Sequence, residues 1–138
     1  MIRYLLDTNV LSEPVRRTPN SGVLAKLANL TGQCATAAPV LEELVFGVRR
    51  LPPSHKRDEL QRFVDLLLNS DMPILPYDTA AACWLGEERA RLGALGTPLP
   101  IMDSLVAAVA HVNDLVLVTR NTRDFERHID LPVENWFE

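Results

Sequence analysis

Residues 115–118, LVLV, are apolar at every position, and so are residues 4–6, YLL. A strand with one face in water alternates apolar and polar side chains, whereas a run without alternation buries both faces, as in a parallel sheet covered by helices on each side. Between these runs the chain reads as strands alternating with helices. Residues 3–6 form a first strand, and residues 20–30 a helix with Val23, Leu24, Leu27 and Leu30 on one face. CATA is a second strand, followed by PVLEELVFGVRRL, with Leu41, Leu44, Val45 and Val48 at helical spacing and Pro52-Pro53 as its stop. Ser54 caps HKRDELQRFVDLLLNS, whose inner stripe is Leu60, Phe63, Val64, Leu67 and Leu68. PILPYD is a third strand carried by Ile74, Leu75 and Tyr77, and Asp78 caps TAAACWLGEERARLGAL. The glycine and two prolines of LGTPLP close that helix and open IMDSLVAAVAHVND; then come the strand LVLVT, a helical turn NTRDFERH and an extended LPVENWF. The alternation predicts an α/β fold, a three-layer α/β/α sandwich with a central parallel sheet.

A chain of 138 residues with 47% apolar content has the size and core of one domain, expected over residues 1–138. No cationic leader with an apolar core and no bilayer-length apolar stretch is present, which predicts a soluble, cytoplasmic protein without a membrane partner. Cys34 and Cys83 lie far apart in apolar contexts, without zinc spacing, and read as small core residues. A net charge of −4 argues against coating nucleic acid by bulk electrostatics. The basic residues come in small groups, Arg16 with Arg17 and Arg120 with Arg123 among them, which leaves room for a local arrangement around a substrate, although a solvated surface is the ordinary reading of each group.

In an open parallel sheet, ligands bind outside the carboxyl ends of the strands. Asp7 ends the first strand, Asp124 follows LVLVT, Asp103 sits in the first turn of a helix with a packed face, and Glu42 and Glu43 follow the second strand. Each has an ordinary alternative: Asp7 caps NVLSE, Asp103 complements its helix dipole, Asp124 completes a capping box with Asn121, and the glutamates are exposed helix residues. Taken together they point further. If three carboxylates converge within about 5 Å, each ionised pair repels by roughly 3 kcal/mol at an effective dielectric of 20. Either one acid stays protonated or a hard divalent cation neutralises the cluster, and oxygen-only ligands favour Mg²⁺ or Mn²⁺. Glu43 shares a helix line with Gly47, where another element has room to approach, and Glu42 with Phe46. His55, in a polar helix start, His111, near a helix end, and His128 do not fit a general-base role.

The stretches YLLDTNVLSE, LEELVFGVRRL, LPIMDSLVAAVA and TRNTRDFE, in this order, resemble the PIN-domain ribonucleases, in particular the VapC toxins of type II toxin-antitoxin pairs. The resemblance implies a Mg²⁺- or Mn²⁺-dependent endoribonuclease with Asp7, Glu43, Asp103 and Asp124 as catalytic and metal-binding residues; the family's acid stands four residues before a glycine, which selects Glu43. Pro39-Val40 stands where relatives often carry a hydroxyl residue. With the metal, the expected products are a 5′-phosphate and a 3′-hydroxyl; Asn9 and Thr119 are candidates to orient Asp7 and Asp124, and Arg16, Arg17 and Arg120, next to the predicted site edge in sequence, are the candidates for phosphate contacts. The resemblance further implies a cognate antitoxin, an RNA substrate, and a homodimer that assembles with antitoxin on operator DNA; Phe46, Trp84, Trp136 and Phe137 are either interface or core aromatics. The alternatives are a catalytically silent PIN-like interaction module, a phosphoacceptor receiver domain with Asp78 as acceptor, and a haloacid-dehalogenase-type phosphatase. That phosphatase chemistry wants D-x-D, and the third residue here is Asn9.

Overall fold

The computed structural model describes residues 1–97, 100–128 and 130–138. Its five strands are β1 (Tyr4–Leu6), β2 (Cys34–Ala37), β3 (Ile74–Leu75), β4 (Val116–Val118) and β5 (Val133–Glu134), paired in parallel in the order β3-β2-β1-β4-β5. The helices are α1 (Thr8–Leu11), α2 (Ser21–Asn29), α3 (Ala38–Arg49), α4 (His55–Leu68), α5 (Thr79–Ala94) and α6 (Ile101–Val112), with 3₁₀ turns at Glu13–Val15 and Thr122–Phe125. The unalternating runs lie in the middle of the sheet, as expected of strands covered on both faces: Leu5, Leu6, Leu117 and Val118 are fully buried. Asn20, Ser54 and Asp78 cap α2, α4 and α5 by accepting from the backbone N–H groups of Val23, Arg57 and Ala81. Gly96 ends the α5 segment at φ +70°, a conformation that glycine adopts without a Cβ clash. Pro98, one of the two prolines expected to separate α5 from α6, lies outside the described residues, and Pro100 caps α6.

Several expectations need correction. The third strand is shorter than PILPYD: Pro76 has no N–H for a ladder, and Tyr77 lies exposed beyond it. On α3 the buried line is Val40, Leu44 and Val48, spaced by four, which turns Val45 outward. Leu68, at the end of α4, is exposed for the same reason, the line there being Val64 and Leu67. Cys34 is buried in β2, but Cys83 is exposed, because α5 turns Ala81, Leu85, Glu88 and Leu92 inward and residue 83 stands on the opposite face. Of the four aromatics, Trp136 is core, edge-on to Tyr4 at 5.3 Å; Trp84 and Phe137 are half-buried, and Phe46 is 64% exposed. Among the described residues no helix is long and apolar enough to cross a membrane.

Candidate metal-dependent nuclease site

The sheet order places β1 between β2, reached by one crossover, and β4, reached by the rest of the chain, so the connections diverge at the β1–β4 seam. Asp7 sits at the carboxyl end of that seam. Its backbone N–H donates to Val118 O at 2.9 Å, while its side chain caps α1, Oδ1 accepting from Thr8 N at 2.8 Å. Capping and a place among the acids therefore coexist in one residue. The second oxygen, Oδ2, accepts from Thr119 Oγ1 at 2.8 Å across the seam. Thr119, fully buried at the end of β4, also accepts from Asn121 N at 3.1 Å and from Asn9 Nδ2 at 3.4 Å; Asn9 Oδ1 in turn accepts from Arg120 N at 3.0 Å. Asn9 thus acts on Asp7 through Thr119 rather than by touching it, and Thr119 bonds Asp7 rather than Asp124.

Glu43 projects from α3 toward the same place and accepts from Thr8 Oγ1 at 2.8 Å. Thr8 escaped the sequence reading; its position beside Asp7 in DTN was the available signal. Both glutamates are exposed, but Glu43 is the one whose charge acts on Asp7 and Asp103. The close approach expected at Gly47 is absent, for a Cβ there would meet nothing within 4 Å. Asp124 lies in the second 3₁₀ turn, and the capping box with Asn121 does not form: Asn121 makes no side-chain cap bond, and its carbonyl accepts from Asp124 N at 3.1 Å.

The carboxyl groups report their neighbourhood. Burial pushes Asp103 up to about 6, reinforced by the charges of Asp7, Asp124 and Glu43. Burial also raises Asp7, against the hydrogen bonds from Thr119 and Thr8 that favour its charged form, while Glu43 and Asp124 add repulsion. Acids from four separate elements, β1's end, α3, α6 and the second 3₁₀ turn, thus share one field. Among the described residues no lysine, arginine or histidine forms an ion pair with any of the four. They are not drawn into a closed cage either, since no three His, Cys, Asp or Glu among the described residues converge tightly enough to enclose a metal ion. An open, oxygen-only set suits a hard cation that keeps much of its water and takes few protein ligands, which is the habit of Mg²⁺.

The proposed phosphate contacts divide. Arg16 is half exposed and pairs with the buried Glu13 at 3.2 Å. With Arg17 it borders a broad cleft that continues to His55, Lys56 and Arg62 of α4, and an adjoining cleft shares Ser12, Leu60 and Phe63 with it and reaches Thr8 and Glu43. Arg120 is exposed on the β4 side, its guanidinium 4.8 Å from the Phe137 ring centre. Asp78 follows the edge strand β3, two strands away from the seam, which does not favour the receiver-domain alternative.

A PIN-domain model matches residues 4–130, and the chain belongs to the PIN-domain family. It is 33% identical over 138 residues to a tRNA(fMet)-specific endonuclease VapC of Shigella flexneri, an alignment covering 99% of each chain. DNA-bound VapBC from Salmonella typhimurium superposes with a TM-score of 0.86 at 29% identity, covering 99% of both chains, and FitAcB from Neisseria gonorrhoeae with 0.85 at 32%, covering 98% of this chain and 99% of that one. Within the family its place is with the VapC toxins.

Proposed function

We propose that residues 1–138 form one nuclease domain, a Mg²⁺- or Mn²⁺-dependent endoribonuclease acting as the toxin of a toxin-antitoxin pair in the cytoplasm, with Asp7, Glu43, Asp103 and Asp124 as its acidic site. The observation that carries this reading is the meeting of acids from four elements at the β1–β4 seam: Asp7 held by Thr8 N and Thr119, Glu43 held by Thr8 Oγ1, and Asp103 within the charge of Asp7, Asp124 and Glu43. Such a gathering of like charge, with no ion pair to any of the four acids among the described residues, is costly unless a cation joins it. Asp7, Asp103 and Asp124 would hold the metal, with Glu43 binding it directly or through water. When bound, a divalent ion lowers the pKa of a coordinated water and offsets charge on the scissile phosphate.

The chain's own residues supply orientation. Thr119 and Thr8 N fix both oxygens of Asp7, Asn9 and Asn121 N hold Thr119, and Thr8 Oγ1 restrains Glu43. In-line attack by water would leave a 5′-phosphate and a 3′-hydroxyl. Arg16, Arg17 and Arg120 are proposed to contact phosphates. The relatives named in complexes support a cognate antitoxin and, through it, operator DNA; a homodimer is proposed with them. The deciding experiment is cleavage of a mixed RNA substrate with Mn²⁺, with Mg²⁺ and with EDTA, comparing wild type and Asp103→Asn. Metal-dependent cleavage that is lost in the variant is expected. No cleavage by folded, antitoxin-free protein with either metal, or cleavage that persists in EDTA, would refute the reading.

A further inference from the structure

A second polar cluster lies outside the four acids, and the reaction proposed above makes no use of it. Glu88, on the inner face of α5, is buried, and both of its oxygens are engaged: Oε1 accepts from Arg91 Nε at 2.8 Å, and Oε2 accepts from Arg91 Nη2 at 2.9 Å and stands 2.8 Å from His128 Nδ1. The bonds from Arg91, aided by His128, hold the Glu88 carboxyl at about 2. An ionised carboxylate only accepts, so Nδ1 of His128 carries a proton and donates. Its Nε2 is buried with no partner among the described residues.

The same arginine reaches further. Arg91 Nη2 also donates to Arg127 O at 2.8 Å, so one turn of α5 grips both residues 127 and 128. These directly follow the 3₁₀ turn Thr122–Phe125 that carries Asp124, and His128 N donates back to Phe125 O at 3.2 Å. Trp84, one turn earlier on α5, stacks on His111 of α6 with ring centres 4.3 Å apart and planes at 18°, and lies 5.2 Å from His128. α5 is therefore tied to the two elements that bear Asp103 and Asp124. Apolar side chains would fill this interior without the desolvation that the buried Glu88 and His128 incur; directional bonds, including those from the partly exposed Arg91, add a fixed geometry that apolar contacts do not.

We propose that Glu88, Arg91 and His128 form a positioning clamp that sets where Asp124 stands relative to Asp103. The proposal rests on the reading of the four acids as a cation site. Its test is Mn²⁺ affinity, measured by the electron paramagnetic resonance of the free ion, together with kcat and KM on RNA, for the full chain carrying His128→Ala, His128→Asn, Asp124→Asn or, as a control, Val23→Ala in the remote α2 core. His128→Ala should raise the Mn²⁺ Kd about tenfold and lower kcat with KM unchanged, the size of effect seen when groups that orient metal ligands are removed. His128→Asn, whose Nδ2–H can donate where Nδ1–H does, should recover most of both, and Val23→Ala should lower stability while leaving the Kd unchanged. An unchanged Kd in His128→Ala while Asp124→Asn weakens binding would overturn the clamp alone. An unchanged Kd in Asp124→Asn would overturn the reading of the acids, and the clamp with it. Should His128→Ala not fold, Arg91→Ala, which cuts the half-buried link to Arg127 O, is measured in its place with the same expected result.

Discussion

Asp103 is the residue whose charge the fold opposes most, and that opposition has a sign. Its carboxyl is raised to about 6 in the folded chain from an ordinary 3.8, so the unfolded state gives up the proton first. Stability is therefore full below about 4 and declines as pH rises to about 6, by about 1–2 kcal/mol once solvent screening of this partly exposed group is allowed for. Asp103→Asn should accordingly be more stable than wild type at pH 7 by that amount and gain nothing at pH 4, as measured by urea unfolding in EDTA. Mn²⁺ added to wild type at pH 7 should supply a comparable gain. Thr119 permits a second residue-scale prediction. Thr119→Val keeps the shape but removes the donor to Asp7 and the acceptor for Asn9 and Asn121 N. Metal affinity should fall about 10-fold or more in calorimetric titration, and Thr119→Ser should restore it. The sequence alone made Asp7, Asp103 and Asp124 visible as strand-end and helix-start acids. It did not reveal that Asn9 works through Thr119 or that Thr8 holds Glu43, because both bonds cross between elements.

α3 shows how far periodicity reaches at the scale of an element. A helix was legible in PVLEELVFGVRRL, but Leu41, Leu44, Val45 and Val48 and the observed Val40, Leu44 and Val48 both fit a 3.6-residue period. The choice between them fell to the sheet beneath, and it left Val45 and Phe46 outside. The spacing on α3 leaves room at Gly47 for another element, but the residue faces open space. Gly47→Ala should therefore stabilise the protein by about 0.5–1 kcal/mol, the helix-interior cost of glycine, seen as a higher midpoint in thermal unfolding. A lower midpoint would mean that the space at residue 47 is filled.

For the whole molecule, an acidic chain must meet an anionic substrate through placement rather than net charge. Arg17, which lines the cleft beside α4, and Arg120, exposed after β4, both outside the Glu13 pair that engages Arg16, should each contribute about one unit to the slope of log affinity against log salt. Replacing either by Ala should flatten the slope of RNA binding by that amount in filter or fluorescence titrations at several salt concentrations, and an unchanged slope would remove that residue from the interface. The α/β/α architecture, the order of its elements and the placing of acids at strand ends were determined by the sequence on its own. Unalternating apolar strands that alternate with amphipathic helices fit a parallel sheet covered on both faces, and capping residues mark helix starts locally. What only the tertiary structure decided is everything that depends on two elements meeting. It put the charge of Glu43, not of Glu42, in reach of Asp103, placed Cys83 outward, paired Thr119 with Asp7 across the β1–β4 seam, and brought His128 to Glu88 and Arg91. The pairs that cross between elements, Glu88 with His128 and Asp7 with Thr119, lie 40 and 112 positions apart, and local preference carries no information over such separations.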